Sequence, residues 1–174
     1  MPDDDSDGRA RWLNLNPPGL NEGALDDRLP SELLAQAEAL CAERGVRLTA
    51  HRRRVLELVC RAARPVGAYE ILDQIRDGAP AAPPTVYRAL DFLLEQGLVH
   101  KLETLHAYVG CTHPEHPHMS QFLICGDCGE VTELADETIA GSLRSVAAQT
   151  GFKPRRPIVE VIGTCSNCVL KPGG

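Results

Sequence analysis

Two short cysteine pairs constrain this chain more than any other feature. "CGDC" places Cys125 and Cys128 at the end of the strand-like run "QFLIC", and "CSNC" places Cys165 and Cys168 after the strand-like run "PIVEVIG". A C-x-x-C turn can present two thiolates to one ion, and two such turns meeting at one end of a sheet complete a closed tetrahedral set. The span between the pairs is long enough for a strand, a helix and a strand. A dithiol redox pair is the main rival, but it needs neither the second pair nor the symmetry. Four sulfurs with no vacancy point to structural zinc.

The remaining three cysteines carry different signals. Cys41 and Cys60 fall on apolar helix faces and read as core residues. Cys111 ends a strand-like run and precedes the histidine-rich loop "CTHPEHPHMS". With His100, His118 and Glu133 it makes one thiolate, two imidazoles and one carboxylate, a donor set suited to tetrahedral zinc. These four come from the junction of two units, so an ion held by them would clamp the angle between the units. A lone histidine or glutamate is usually just a surface residue, and spacing alone leaves that reading open. His113 and His116 are weaker candidates.

The N-terminal part reads as helices. Ser31 can cap a first helix with Leu33, Leu34, Ala37, Leu40 and Cys41 on one face, stopped by Gly45. Thr49 can cap a second with Val55, Leu56, Val59 and Cys60 inward. A third presents Ala68, Ile71, Leu72 and Ile75, followed by the loop "DGAPAAPP". A fourth, opening at Pro84 or Thr85, carries Val86, Leu90, Leu93 and Leu94 and closes at Gly97. The runs "LVHKLE" and "AYVGC" then form a hairpin. Helices followed by a two-stranded hairpin make a winged helix-turn-helix. Beyond it, "QFLIC", "EVTEL" and "PIVEVIG", with a helix from about Asp136 to Thr150, make a small α/β unit. That unit is too small for comfortable stability alone, which calls for a metal staple, a partner subunit or both.

The expected fold class is therefore α+β. The expected organisation is a mobile acidic arm over 1–30, a winged-helix DNA-binding domain over 31–110, a hinge and metal loop over 111–120, and an α/β dimerisation domain over 121–174. In the fourth helix, Thr85, Tyr87 and Arg88 offer a hydroxyl for phosphate, an aromatic for thymine methyls and a guanidinium for guanine. A surface salt bridge between Arg88 and Asp91 is the competing reading. The net charge of -6 looks wrong for a nucleic-acid binder, yet residues 44–64 hold seven arginines against Glu57 alone. A solvated helix face explains the same run. No apolar run approaches a membrane span, and "MPDDDSDG" lacks the features of a secretory signal, so a cytoplasmic location is expected.

Four stretches, "LLAQAEALCAERGVRLT", "PPTVYRALDFLLEQGLVHK", "FLICGDCGEV" and "CSNC", together make the chain resemble the ferric uptake regulator family, most closely its zinc-sensing branch. The likeness runs from about residue 31 to residue 168. It implies a homodimer of winged-helix and α/β dimerisation domains, with no small-molecule substrate. Such a dimer binds palindromic operator DNA when zinc is plentiful and represses zinc-uptake genes. It implies structural zinc at Cys125, Cys128, Cys165 and Cys168, and regulatory zinc at His100, Cys111, His118 and Glu133. It also adds Tyr69 to Thr85, Tyr87 and Arg88 as DNA contacts. An iron or peroxide sensor of the same fold is the alternative, although a thiolate in a four-ligand set suits zinc better. A zinc hydrolase or deaminase is disfavoured, because it needs an open metal position, and no P-C-x-x-C string is present.

Overall fold

The computed structural model describes residues 30–76, 83–115, 118–155 and 157–170. The acidic arm, most of the "DGAPAAPP" loop and His116 lie outside the described residues.

Four helices build the first unit: α1 (Pro30–Glu43), α2 (Ala50–Arg61), α3 (Ala68–Arg76) and α4 (Pro83–Glu95). Their periodic apolar residues converge on one core, in which Val55, Leu56, Ile71, Val86, Leu90 and Leu93 are all but fully buried. Along α1 the inward face is Leu34, Ala37 and Cys41, with Leu40 packed at its edge. Ser31 lies inside this helix rather than capping it, because the helical backbone already includes Pro30, whose missing N–H and fixed φ suit a first turn. Thr49 does cap α2, its side chain accepting from the Arg52 N–H.

Gly45 ends α1 at φ +67°, with its N–H donating to the Ala42 carbonyl and the Val46 N–H to the Cys41 carbonyl. Gly97 ends α4 the same way at φ +66°, through Leu94 and Leu93. At both positions a side chain would have to occupy the left-handed region, which glycine enters without strain.

The wing strands β2 (Val99–Leu102) and β3 (Ala107–Gly110) pair antiparallel, His100 opposite Val109. A two-residue strand, β1 (Val66–Gly67), adds to the far side of β3. Sequence reasoning missed it because two residues carry no measurable alternation.

The second unit contains β4 (Ser120–Cys125), β5 (Val131–Leu134), α5 (Glu137–Gln149), β6 (Ile158–Gly163) and the short α6 (Ser166–Val169). Its sheet runs in the order β5-β4-β6, antiparallel on one side of β4 and parallel on the other. Asp136 caps α5 by accepting from the Ile139 N–H at 2.9 Å. The core here is small: Phe122 and Ile124 from β4 with Leu102 from the wing, flanked by Val109, Val131 and Ile158. The wing thus supplies part of the second unit's interior. Ile139, Leu143 and Val146 on α5, with Val161 and Ile162 on β6, remain exposed. Among the described residues, no helix is long and apolar enough to cross a membrane.

Candidate metal centres and nucleic-acid face

Both cysteine turns are shaped by backbone hydrogen bonds before any side chain is considered. After β4 the chain folds back so that the Cys125 N–H donates to the Glu130 carbonyl and the Gly129 N–H to the Cys125 carbonyl. The Gly126 N–H reaches across to Gly163 at the end of β6, which brings the second turn alongside. Cys165 stands at the start of α6, one helical turn before Cys168. The four sulfurs fall within 4.8 Å of one another, and Cys128 and Cys165 Sγ are 3.7 Å apart. Zinc–sulfur bonds of about 2.3 Å at tetrahedral angles put sulfurs about 3.8 Å apart, whereas a disulfide needs about 2.05 Å.

The charge state also asks for a cation. N–H groups of Cys165 and Cys128 pull the Cys125 thiol down to about 6. Hydrogen bonds from its thiol neighbours Cys128 and Cys165 push Cys168 up to about 12. Four thiolates so close repel one another, so a bound metal is what allows all of them to ionise together.

The second cluster gathers His100 from β2, Cys111 just past β3, His118 from the loop before β4, and Glu133 from β5. Glu133 Oε2 is fixed by the Thr112 N–H at 2.9 Å and the Thr112 hydroxyl at 2.7 Å. That leaves Oε1 facing His100 Nε2 at 2.8 Å and His118 Nε2 at 2.9 Å. His100 Nδ1 is engaged by the Ser120 hydroxyl at 2.8 Å, so its Nε2 is the nitrogen turned inward. Cys111 Sγ lies 3.8 Å from His118 Nε2.

One atom shows what this arrangement fits. His100 Nε2 is buried and close to Glu133, yet it forms no aligned hydrogen bond. His118 Nε2 does bond to Glu133 Oε1, and the four donor atoms lie within 4.8 Å of one another, close enough to share one ion.

Electrostatics agree. Burial pushes the Cys111 thiol up, but the neighbouring His100 and His118 imidazoles outweigh it and lower the thiol overall. Burial opposes charge on His100, yet Cys111 and Glu133 raise it to about 9. Glu133 is held well below the carboxylate range by the two histidines despite its burial. Thr112 and Ser120 were not foreseen from sequence; a threonine beside a cysteine and a serine opening a strand give no signal of their own. His113 is exposed and bonds to the Thr112 hydroxyl, outside the cluster.

In the helical unit, Tyr69 is 70% exposed and Tyr87 40% exposed, near enough for their hydroxyls to interact. Thr85 and Arg88 are exposed on the first turns of α4. The competing pairing of Arg88 with Asp91 is not among the ion pairs of the described residues. Much of the arginine run has internal partners instead. Arg53 meets Glu38, Arg54 and Arg61 share Glu57, Arg64 meets Glu70, and Arg52 lies 3.6 Å over the Phe92 ring. Arg44 reaches the Pro114 carbonyl at 2.8 Å, tying α1 to the loop that leads to His118.

A winged helix whose wing shares a thiolate, imidazole and carboxylate cluster with a small α/β sheet defines a class: metal-binding winged-helix proteins. The chain belongs to the ferric uptake regulator family, whose model matches residues 43–162. It is 48% identical over 140 residues to the zinc uptake regulation protein of Escherichia coli (strain K12), covering 79% of this chain and 82% of that one. A solved zinc uptake regulator complexed with zinc and DNA superimposes with a TM-score of 0.78 at 46% identity, covering 82% of this chain and 97% of that one. The holo form of XcZur gives 0.77 at 44% identity, over 82% of this chain and 100% of that one.

Proposed function

We propose that this chain is a zinc-responsive transcriptional regulator that binds operator DNA as a zinc-loaded homodimer and represses zinc-uptake genes. The observation that carries the reading is the His100, Cys111, His118 and Glu133 cluster, which joins wing to sheet with a thiolate among its donors. A thiolate in a four-donor set favours zinc over ferrous iron, which prefers more numerous nitrogen and oxygen ligands. The similarity to zinc uptake regulators, one of them solved with zinc and DNA, supports the same assignment.

In this reading Cys125, Cys128, Cys165 and Cys168 hold a structural zinc, and the mixed cluster holds a regulatory one. Both sets are closed, with no position left for substrate water, so the role is regulatory rather than enzymatic. Bound at the mixed cluster, zinc supplies coordination bonds that tie the wing to the C-terminal sheet. His100 and Cys111 belong to the wing, Glu133 to the sheet, and His118 to the loop between them, so drawing the four together fixes the angle of the helical unit. Thr112 and Ser120 hold Glu133 and His100 in the receiving orientation.

The winged-helix domain would span 31–110, the hinge 111–120 and the dimerisation domain 121–174, with the protein acting in the cytoplasm. The exposed apolar residues of α5 and β6 form the homodimer contact. Tyr69, Thr85, Tyr87 and Arg88 face the operator, with Arg88 reading a base. A two-fold dimer then places its two α4 helices on successive major grooves of a palindrome. The test is retention of genomic fragments by the purified dimer under buffered zinc, anaerobic ferrous iron or chelator. One palindromic family retained under zinc alone is expected; equal retention under iron or chelator would overturn the reading.

A further inference from the structure

Wing and sheet are joined at a second place that uses no candidate metal ligand. Glu160, in the middle of β6, reaches the turn between β2 and β3. Its Oε1 accepts from the Glu103 N–H at 2.7 Å and its Oε2 from the Thr104 N–H at 3.0 Å. Both carboxylate oxygens are thus engaged by successive backbone amides of the wing tip. Charge-assisted bonds of this kind are stronger than neutral ones.

The sheet register shows how this contact relates to the mixed cluster. Phe122 on the central strand stands opposite Glu133 on β5 and opposite Glu160 on β6. Directly opposed residues project from the same face of a sheet. Glu133, Phe122 and Glu160 therefore form one row, a carboxylate at each end and an aromatic between. The wing lies along that row. His100 meets Glu133 at one end, the His100 ring lies 5.4 Å from that of Phe122, Leu102 packs on Phe122, and the turn closes on Glu160.

A wing pinned at one end can still swivel about that point; pinned at both ends of a row, it has a fixed direction. We propose that Glu160 is a positioning residue, a latch on the wing tip that sets the direction in which gathering the mixed cluster orients the DNA-reading helix. The latch rests on the zinc-responsive reading above and adds a second anchor to it. The lowered Glu160 carboxyl, which burial alone would raise but which Thr104 and Glu103 hydrogen bonds bring down, is consistent with that engagement.

The test compares the zinc-loaded wild-type dimer with Glu160→Ala and Glu160→Gln, on the operator fragments that the wild type retains under zinc. Zinc content and sedimentation are checked first, and amide hydrogen exchange at Glu103 and Thr104 is followed alongside operator affinity. Glu160→Ala is expected to keep both zinc ions and the dimer, to lose protection at the two amides, and to bind operator about tenfold more weakly. Glu160→Gln, which keeps one acceptor oxygen, should fall between. If the alanine variant fails to assemble, the glutamine variant carries the comparison.

Wild-type operator affinity in a variant that has lost amide protection would overturn the latch and leave the zinc-responsive reading intact. Unprotected amides at Glu103 and Thr104 in the wild type would overturn it as well. A wild-type dimer that retains no DNA in a zinc-dependent way would instead overturn the regulator reading on which the latch rests.

Discussion

Glu133 and His100 show how much one pair of side chains can carry. In the metal-free protein the raised His100 stabilises the fold fully below its ordinary value of 6.5, and that contribution is lost as pH rises through about 9. The depressed Glu133 contributes above its ordinary 4.5 and loses its effect as the solution is acidified beneath that value. As far as this pair decides, protein that keeps the four-cysteine zinc but has an empty mixed cluster should melt highest between about pH 4.5 and 6.5, which calorimetry across pH would show. Zinc loading should run the other way. Coordination needs neutral imidazole, so apparent zinc affinity at the mixed cluster should climb with pH toward about 9, as competition with a fluorescent chelator can record.

Thr112 supports the same site from outside it, through two hydrogen bonds to one carboxylate oxygen. Replacing it with alanine removes the hydroxyl and keeps the backbone bond. Zinc affinity of the mixed cluster should then fall about tenfold while the four-cysteine zinc stays in place, a split that metal titration resolves.

At the scale of elements, α4 has two faces with separate duties. Val86, Ala89, Leu90 and Leu93 are inside the helical core, and Thr85, Tyr87 and Arg88 face solvent. Substitution of Arg88 by alanine should therefore leave thermal stability within about 0.5 kcal/mol of wild type. On the proposed reading it should weaken operator binding by about tenfold or more, with a loss of preference at one base position. Equal loss on operator and random DNA would make Arg88 a phosphate contact rather than a base reader. β4 illustrates the same economy differently, since it pairs on both sides and supplies Phe122 and Ile124 to the core that receives Leu102 from the wing.

At the scale of the whole molecule, holding and switching are divided between the two clusters in the proposed reading. The four cysteines bind together two turns at one end of a sheet whose own core is small, so Cys125→Ser should unfold the C-terminal unit and abolish dimerisation in sedimentation experiments. A folded zinc-free dimer would contradict the structural role. Coupling between the mixed cluster and DNA must be mutual, because any preference of zinc for the DNA-competent arrangement is also a preference of DNA for the zinc-loaded one. Operator DNA should accordingly raise the affinity of the second zinc, measured by chelator competition with and without the fragment. An unchanged affinity would mean that the ion does not act through the domain angle.

Much of this architecture was legible in the chain. Helical periodicity, the stop glycines at 45 and 97, the Thr49 cap, the helix start near Asp136 and the alternation of the strands are local signals, written within a few residues of the structure they specify. The paired C-x-x-C turns were legible for the same reason, each being a short motif with its own chemistry. Other features were not. Ser31 as a cap depended on where the helix begins, which Pro30 moved. β1 was too short to have a period, and the partners that occupy most of the arginine run lie on other turns and other helices. What the tertiary structure alone decided is the row of Glu133, Phe122 and Glu160, the roles of Thr112 and Ser120, and the seating of Leu102 in the second core. These depend on sheet register and on how two units dock, and register joins residues far apart in sequence that carry no mark of one another until the chain has folded.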